Sequence, residues 1–324
     1  MTADSTLRIP GIHHITVVAG DPQRNLDFYG GVLGLRLIKT TINFDAPDVY
    51  HFYYGDEVGH PGTILTFFPF PNAAKGRRGT GTVDAIAFSI PTGSLDYWTA
   101  RLKDHGLAIG APTTRFGEIV LSFTDPDGLR LELIAHDDDT RHGWVDGPVP
   151  AEHAIRGFHG ATLLVRDTEP TARLLTETMG FIVAGEEGDR TRYTMGDGAP
   201  GAQIDLVGAP DLAPGGVAAG ITHHIAWRTP DEDSELRWRR ELGALGLDVT
   251  GVRDREYFRS IYFHEPGGIL FEIATDPPGF AVDESVADLG SSLKLPAWYE
   301  PRRAQIERAL PPLRRPALNN AQEE

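Results

Sequence analysis

The sequence predicts an α+β protein built from four βαβββ units, and three observations lead there. Segments recur at fixed spacing, each copy opens with an alternating strand before an amphipathic helix, and each helix is closed by a glycine. The segment FHGATLLVRD (158–167) repeats IHHITVVAGD (12–21). Thr16, Asp21 and Gly34 return as Thr162, Asp167 and Gly180, each 146 positions on. A second pair is TVDAIAF (82–88) and ITHHIAW (221–227), where Ile86, Ala87 and Pro91 return as Ile225, Ala226 and Pro230, 139 positions on. Further along, PDGLRLE (126–132) matches PGGILFE (266–272).

Each unit reads in the same order. Ile12 to Val18 alternates as a half-buried strand. Leu26, Phe28, Tyr29, Val32 and Leu33 then share one helical face, as do Leu95, Trp98 and Leu102 in the second unit. Gly34, Gly106, Gly180 and Gly246 stand where a left-handed C-cap is required. Two or three more strands follow, joined by turns such as Asp125-Pro-Asp-Gly128 and Glu265-Pro-Gly-Gly268. The units span about 10–70, 80–137, 156–208 and 220–276. They are grouped as an N-terminal module (1–150) and a C-terminal module (151–289). Residues 290–324 read as a wrapping arm, helical from Arg303 to Leu310 and disordered after about Pro316.

Composition narrows the function. Basic residues number 30 against 46 acidic ones, a net charge of -16 that repels phosphate backbones and anionic lipid. Nucleic acid and membrane surfaces are therefore not expected partners. The absence of cysteine excludes disulfides, thiolate metal sites and a cysteine nucleophile. No apolar run approaches the roughly 18 residues of a membrane helix, and the first residues carry no apolar leader, so a cytoplasmic protein is the expectation. A homo-oligomer is compatible with everything read so far.

On these repeats the chain resembles the vicinal oxygen chelate superfamily, which includes glyoxalase I, bleomycin-resistance proteins and extradiol ring-cleaving dioxygenases. The resemblance implies that two units form one open, curved mixed sheet, giving two such modules. It also implies a metal on the concave face, with ligands on the first and last strands of a unit. The first-strand position is His14, Ala85, Gly160 and His224 in the four units; the last-strand position is Thr66, Glu132, Asp205 and Glu272. Joining unit one to unit four gives His14, His224 and Glu272, with Thr66 in the fourth place. Units three and four together would give one histidine and two carboxylates, and units two and three no imidazole at all. Two imidazoles and one carboxylate leave up to three positions open on an octahedral ion, which suits Fe(II) that must bind a substrate oxygen and O2. Mn(II) fits the same triad. Glu132 reads as a structural acid, paired with Arg130 or Arg115. His60, His105, His136, His153 and His159 read as structural or solvent-facing.

Within the superfamily, the strings YHFYYGD (50–56), GHPGT (59–63), RFG (115–117), RGFH (156–159) and GITHHI (220–225) resemble one subgroup. It is the hydroquinone-type ring-cleaving dioxygenases, of the 2,6-dichlorohydroquinone 1,2-dioxygenase kind. That resemblance implies an extradiol-type, Fe(II)-dependent enzyme acting on a small aromatic diol and O2. It carries His13, Thr16, His223, Arg255 and Tyr262 over as helpers around the metal. A histidine could take the diol proton, Arg255 could stabilise a developing oxyanion, and Tyr262 could donate to a substrate oxygen. Thr16, two residues from His14, shares its face. Neighbours on a regular strand face opposite ways, so His13 and His223 either point away from the site or reach it through a bulge. Phe52, Phe67 and Phe258 are the expected aromatic lining. The alternatives are a glyoxalase-type isomerase or thiol transferase, which Thr66 in place of a fourth carboxylate disfavours, and a metal-free small-molecule binding protein.

Overall fold

Two eight-stranded mixed sheets make up the fold. The structure is a computed structural model and describes residues 7–196, 198 and 201–314. The expected unit is present four times. Its first strand is β1 (Ile12–Ala19), β5 (Thr82–Ile90), β9 (Gly157–Val165) or β13 (Ile221–Thr229). A helix follows: α1 (Pro22–Leu26), α2 (Leu95–Asp104), α3 (Thr168–Arg173) or α4 (Glu232–Ala244), with α1 and α3 each continuing into a π-helical turn. Three strands complete each unit. They are β2 (Arg36–Asn43), β3 (Ala46–Gly55) and β4 (Ile64–Pro69); β6 (Thr113–Arg115), β7 (Glu118–Thr124) and β8 (Arg130–Ala135); β10 (Ile182–Glu187), β11 (Arg190–Thr194) and β12 (Gln203–Gly208); and β14 (Arg253–Asp254), β15 (Arg259–His264) and β16 (Leu270–Thr275).

The helix ends follow from the sequence. Asp21, Asp167 and Asp231 cap α1, α3 and α4 by accepting from backbone N–H groups of Arg24, Glu169 and Ser234. At the other end, Gly34 (φ 69°) and its three equivalents all adopt positive φ, the conformation their position demanded.

One sheet runs β14-β15-β16-β13-β1-β4-β3-β2 and the other β10-β11-β12-β9-β5-β8-β7-β6. Unit one therefore joins unit four, and unit two joins unit three. Each half of the chain gives one unit to each sheet, so the division at 150/151 separates units and does not separate sheets. In both sheets the two first strands meet antiparallel at the centre, β1 with β13 and β5 with β9, and each first strand lies parallel to its unit's last strand. The linkers between units one and two and between three and four pair through bridges at Lys75–Ala219, Arg77–Gly216 and Thr80–Pro214. Gly79 lies so close to the backbone of Ala213 that a Cβ there would fall 2.3 Å from its carbonyl oxygen.

Strand alternation decides what each face carries. Leu26, Tyr29, Phe52, Tyr54, Leu65 and Phe67 pack into one continuous apolar core. Their neighbours Tyr53 and Thr66, paired across β3 and β4, face the other way. One end of the concave face of the first sheet is filled by the segment after β16. There Phe280 and Leu289 pack on Ile38, Tyr53, Ile64 and Ala226. Lys39, fully buried, ties that segment down through Asp283 (2.6 Å) and Glu284 (2.5 Å).

The wrapping arm begins beside this plug. Leu293 bridges Thr40, Tyr299 donates to the Phe44 carbonyl (2.9 Å), and Ile306 on α5 (Arg303–Ala309) is buried. The Arg314 N–H donates to Gln23 Oε1. The disorder expected after Pro316 falls outside the described residues.

Candidate metal centre

His14 on β1, His224 on β13 and Glu272 on β16 meet on the concave face of the first sheet. His14 Nε2 and His224 Nε2 lie 3.3 Å apart, and Glu272 Oε2 lies 3.3 Å from the first and 2.9 Å from the second. Three ligands about 2.1 Å from one ion, at right angles to each other, would stand about 3 Å apart. All three residues are buried, and Glu272 Oε2 has no hydrogen-bond donor. A buried oxygen left without a donor between two imidazole nitrogens is a group arranged for a cation. The donor set fits a divalent metal ion.

The register explains the convergence. Thr16 pairs Thr66, Ala226 pairs Glu272, Ala87 pairs Glu132 and Thr162 pairs Asp205. The last-strand position therefore occupies the same place in all four units, as the repeats predicted.

Both His-His pairs sit at β-bulges. Along the β1–β13 ladder, pairing steps from Ile12–Trp227 to His14–Ala226 and omits His13. It then steps from Thr16–His224 to Val17–Thr222 and omits His223. An extra residue on each strand breaks the alternation. The His223 ring lines the cavity and its Nδ1 lies 2.8 Å from Nδ1 of His224. His13 Nδ1 lies 2.9 Å from Nδ1 of His14, its ring packed edge-on to Phe258 and outside the cavity lining. Each triad imidazole is thus held from behind by its neighbour's ring.

Burial favours the neutral form of His13, His223 and His224. Burial pushes His223 down to about 3, helped by His224. Burial lowers His13 and His224 as well, with His14 adding to both shifts. Burial pushes the Glu272 carboxyl up, but His14 and His224 outweigh it and hold it well below the usual carboxylate range. The Ser260 hydroxyl donates to Glu272 Oε1 and fixes the carboxylate from the side away from the imidazoles.

The cavity above the triad is about 400 Å³. His14, Thr16, His51, Tyr53, Phe68, His223, His224, Arg255, Phe258 and Tyr262 all face it. Tyr262 stands opposite Glu272 in the β15–β16 register, and its ring lies edge-on to His224. Arg255 Nε donates to Tyr262 Oη (3.0 Å), while its Nη1 reaches Asp45 at 3.6 Å across the mouth. Burial and Glu272 both raise the Tyr262 phenol, outweighing Arg255. Phe258 belongs to the lining as expected. Phe52 and Phe67 do not: both are fully buried on the helix-covered face, because they alternate with Tyr53 and Thr66. The residues the sequence reading missed are His51, Tyr53, Phe68 and Ser260. Counting in twos from Thr66 and Tyr262, and across the β3–β4 pairing, reaches all four.

The second sheet has the same cup without the site. Ala85 and Gly160 replace the histidines. Arg115 grips Glu132, Arg190 and Arg192 grip Asp205, and Arg192 and His159 both hold Glu118. The remaining space is about 10 Å³. Glu132 is thus the structural acid expected, paired with Arg115. Glu118, His136 and His159 cluster closely enough to hold an ion, but both Glu118 oxygens are already engaged.

The sequence pattern of the Glyoxalase/Bleomycin resistance protein/Dioxygenase superfamily matches residues 11–133 and 157–273. The chain belongs to this superfamily. Among its members, the Bacillus subtilis protein named "Putative ring-cleaving dioxygenase MhqO" is 48% identical over 93% of this chain and 96% of its own length. The chlorohydroquinone/hydroquinone 1,2-dioxygenase of Sphingobium indicum is 36% identical over 94% of this chain and 96% of that protein. A crystal structure of a "putative dioxygenase from Bacillus subtilis" superposes with TM-score 0.92 at 47% identity, covering 95% of this chain and 99% of that one. Glyoxalase I of Zea mays superposes with TM-score 0.61 at 18% identity, over 82% and 92% of the two chains, and shares the fold. Among the described residues, no helix is long and apolar enough to cross a membrane.

Proposed function

We propose that this superfamily member is an Fe(II)-dependent, extradiol-type ring-cleaving dioxygenase acting on a hydroquinone- or catechol-type diol. The observation that carries the proposal is the His14–His224–Glu272 triad at the base of an aromatic-walled cavity. His14, His224 and Glu272 would hold the ion, with Mn(II) the other metal the triad suits. Bound there, iron would supply a Lewis acid for the diol oxygen and a redox partner for O2.

The remaining steps belong to side chains. Phe258 and Phe68 hold the ring, and a cavity of about 400 Å³ has room for a single substituted benzene. His223, kept neutral by burial, stands at the cavity edge, where its ring can hydrogen-bond a bound diol oxygen. Arg255 donates to the Tyr262 oxygen, leaving the phenol proton free to be given to a substrate oxygen as charge develops. Thr66, in the place of a fourth ligand, is engaged with Thr16 and His51, which argues against a four-ligand isomerase site.

The test is anaerobic reconstitution with Fe(II), followed by oxygen-electrode screening of hydroquinones and catechols. Oxygen uptake stoichiometric with diol loss, abolished in His224→Ala, is the expected result. An iron-loaded protein that consumes no oxygen across the panel would overturn the proposal.

A further inference from the structure

Beside the triad runs a hydrogen-bonded chain that the helper residues above do not explain. Thr16 Oγ1 lies 2.8 Å from Thr66 Oγ1, and Thr66 Oγ1 lies 2.9 Å from His51 Nε2. The three residues stand side by side on β1, β4 and β3. Thr16 and His51 face the cavity, whereas Thr66 is fully buried and does not. Thr66 has no other side-chain partner, so its hydroxyl accepts from one neighbour and donates to the other. His51 packs at a tilt against Tyr53 and Phe68 and spends Nε2 on Thr66, which leaves Nδ1 as the nitrogen free for the cavity its ring lines.

We propose that Thr16, Thr66 and His51 form a proton relay that carries a proton from an acidic hydroxyl bound beside His14 to the cavity mouth. Thr16 is the residue that meets the ligand; Thr66 and His51 act through it. In the resting arrangement His51 carries its proton on Nδ1, Thr66 donates to Nε2, and Thr16 donates to Thr66. A ligand hydroxyl donating to Thr16 Oγ1 completes the line. On transfer the ligand O–H bond breaks and its proton joins Thr16. The Thr16 proton passes to Thr66, the Thr66 proton passes to His51 Nε2, and the Nδ1 proton leaves to water. No electron changes hands; the ligand oxygen loses one proton, the water that takes the Nδ1 proton gains it, and Thr16, Thr66 and His51 each end with as many protons as they began with. Thr16 finishes as a donor to the new anion, which stabilises it. The chemical class recognised is a weakly acidic aromatic hydroxyl.

The inference rests on the diol reading for its ligand, and its test does not depend on turnover. The probe is 4-nitrocatechol, whose ionisation changes its visible absorbance, mixed anaerobically with Fe(II)-loaded protein at a pH where the free probe is protonated. The wild type is expected to form the bound anion quickly, with a solvent deuterium isotope effect. Thr66→Val should slow its appearance on the order of 10-fold or more while leaving the dissociation constant within a few fold. Thr66→Ser, which keeps the hydroxyl, should restore the rate. His51→Gln can still hydrogen-bond Thr66 but cannot take a proton, so it should stay slow; recovery with glutamine would reduce His51 to a packing role and overturn the relay. Anion formation at the wild-type rate in Thr66→Val, or no ionisation of the probe by the wild type, would overturn it too. Normal relay behaviour without oxygen uptake on any diol would support the relay and remove the dioxygenase reading alone.

Discussion

His223 and His224 are consecutive residues of one strand, yet their Nδ1 atoms lie 2.8 Å apart. A regular strand would have sent the rings to opposite faces. The bulge opposite Thr16 and Val17 brings them to the same region, and a matching bulge at His13 does so for His14. A triad imidazole held in this way has its orientation fixed before metal arrives. His223→Ala should weaken Fe(II) or Zn(II) binding by about 10- to 100-fold, read by competition with a chromophoric chelator. Unchanged affinity would show that the neighbouring ring does not orient His224.

Tyr262 and Arg255 work as a pair. Tyr262→Phe keeps the packing against His224 but loses the donor, so kcat should fall on the order of 10²-fold with little change in KM. Steady-state oxygen uptake separates the two parameters. A change confined to KM would place Tyr262 in ground-state binding.

Most of the frame was legible in the sequence because repetition fixes register. Matching Thr16 to Thr162 and Ile86 to Ile225 aligned the four units, the family resemblance placed ligands on their first and last strands, and Ala85 and Thr66 then required unit one to pair with unit four. The lining was less legible. Phe52 and Phe67 look like a pocket by composition, and only their one-residue offset from Tyr53 and Thr66 sends them into the core. The bulges left no mark beyond the doubled histidines. The plug at Phe280 could not be read at all, because it docks through contacts far apart in sequence.

The second cup sets part of the acid stability. Burial raises Glu118, but His159 and Arg192 outweigh it and hold its carboxyl at about 2, below an unfolded value near 4.3. A depressed folded-state value means that the contribution is present above about pH 4.3 and is lost as pH falls toward 2. Urea titrations of wild type and Glu118→Gln should converge across that window and differ above it. A constant difference from pH 7 down to pH 2 would show that Glu118 acts through packing alone.

Lys39 holds the plug. Its ammonium is fully buried against Asp283 and Glu284, so Lys39→Met removes the cation they share, leaving Asp283 with the Tyr257 hydroxyl and Glu284 with the Ser292 hydroxyl and Lys294 at 4.0 Å. The expected cost is about 3–5 kcal/mol. Denaturant midpoints would show it, together with faster proteolysis near residues 277–290. A loss below about 1 kcal/mol would mean that solvent reaches the two acids once the lysine is gone.

The pairing of unit one with unit four also sets an order of events in the making of the protein. His14 and His224 are 210 residues apart in the chain. The second and third units, adjacent in sequence, contain everything their own sheet needs. During synthesis that inner sheet can close while β1 still has an unpaired edge, waiting for β13 to emerge. No nascent chain that stops short of β16 carries the whole triad. The sheet that carries the candidate metal centre can therefore close only after β13 and β16 have emerged.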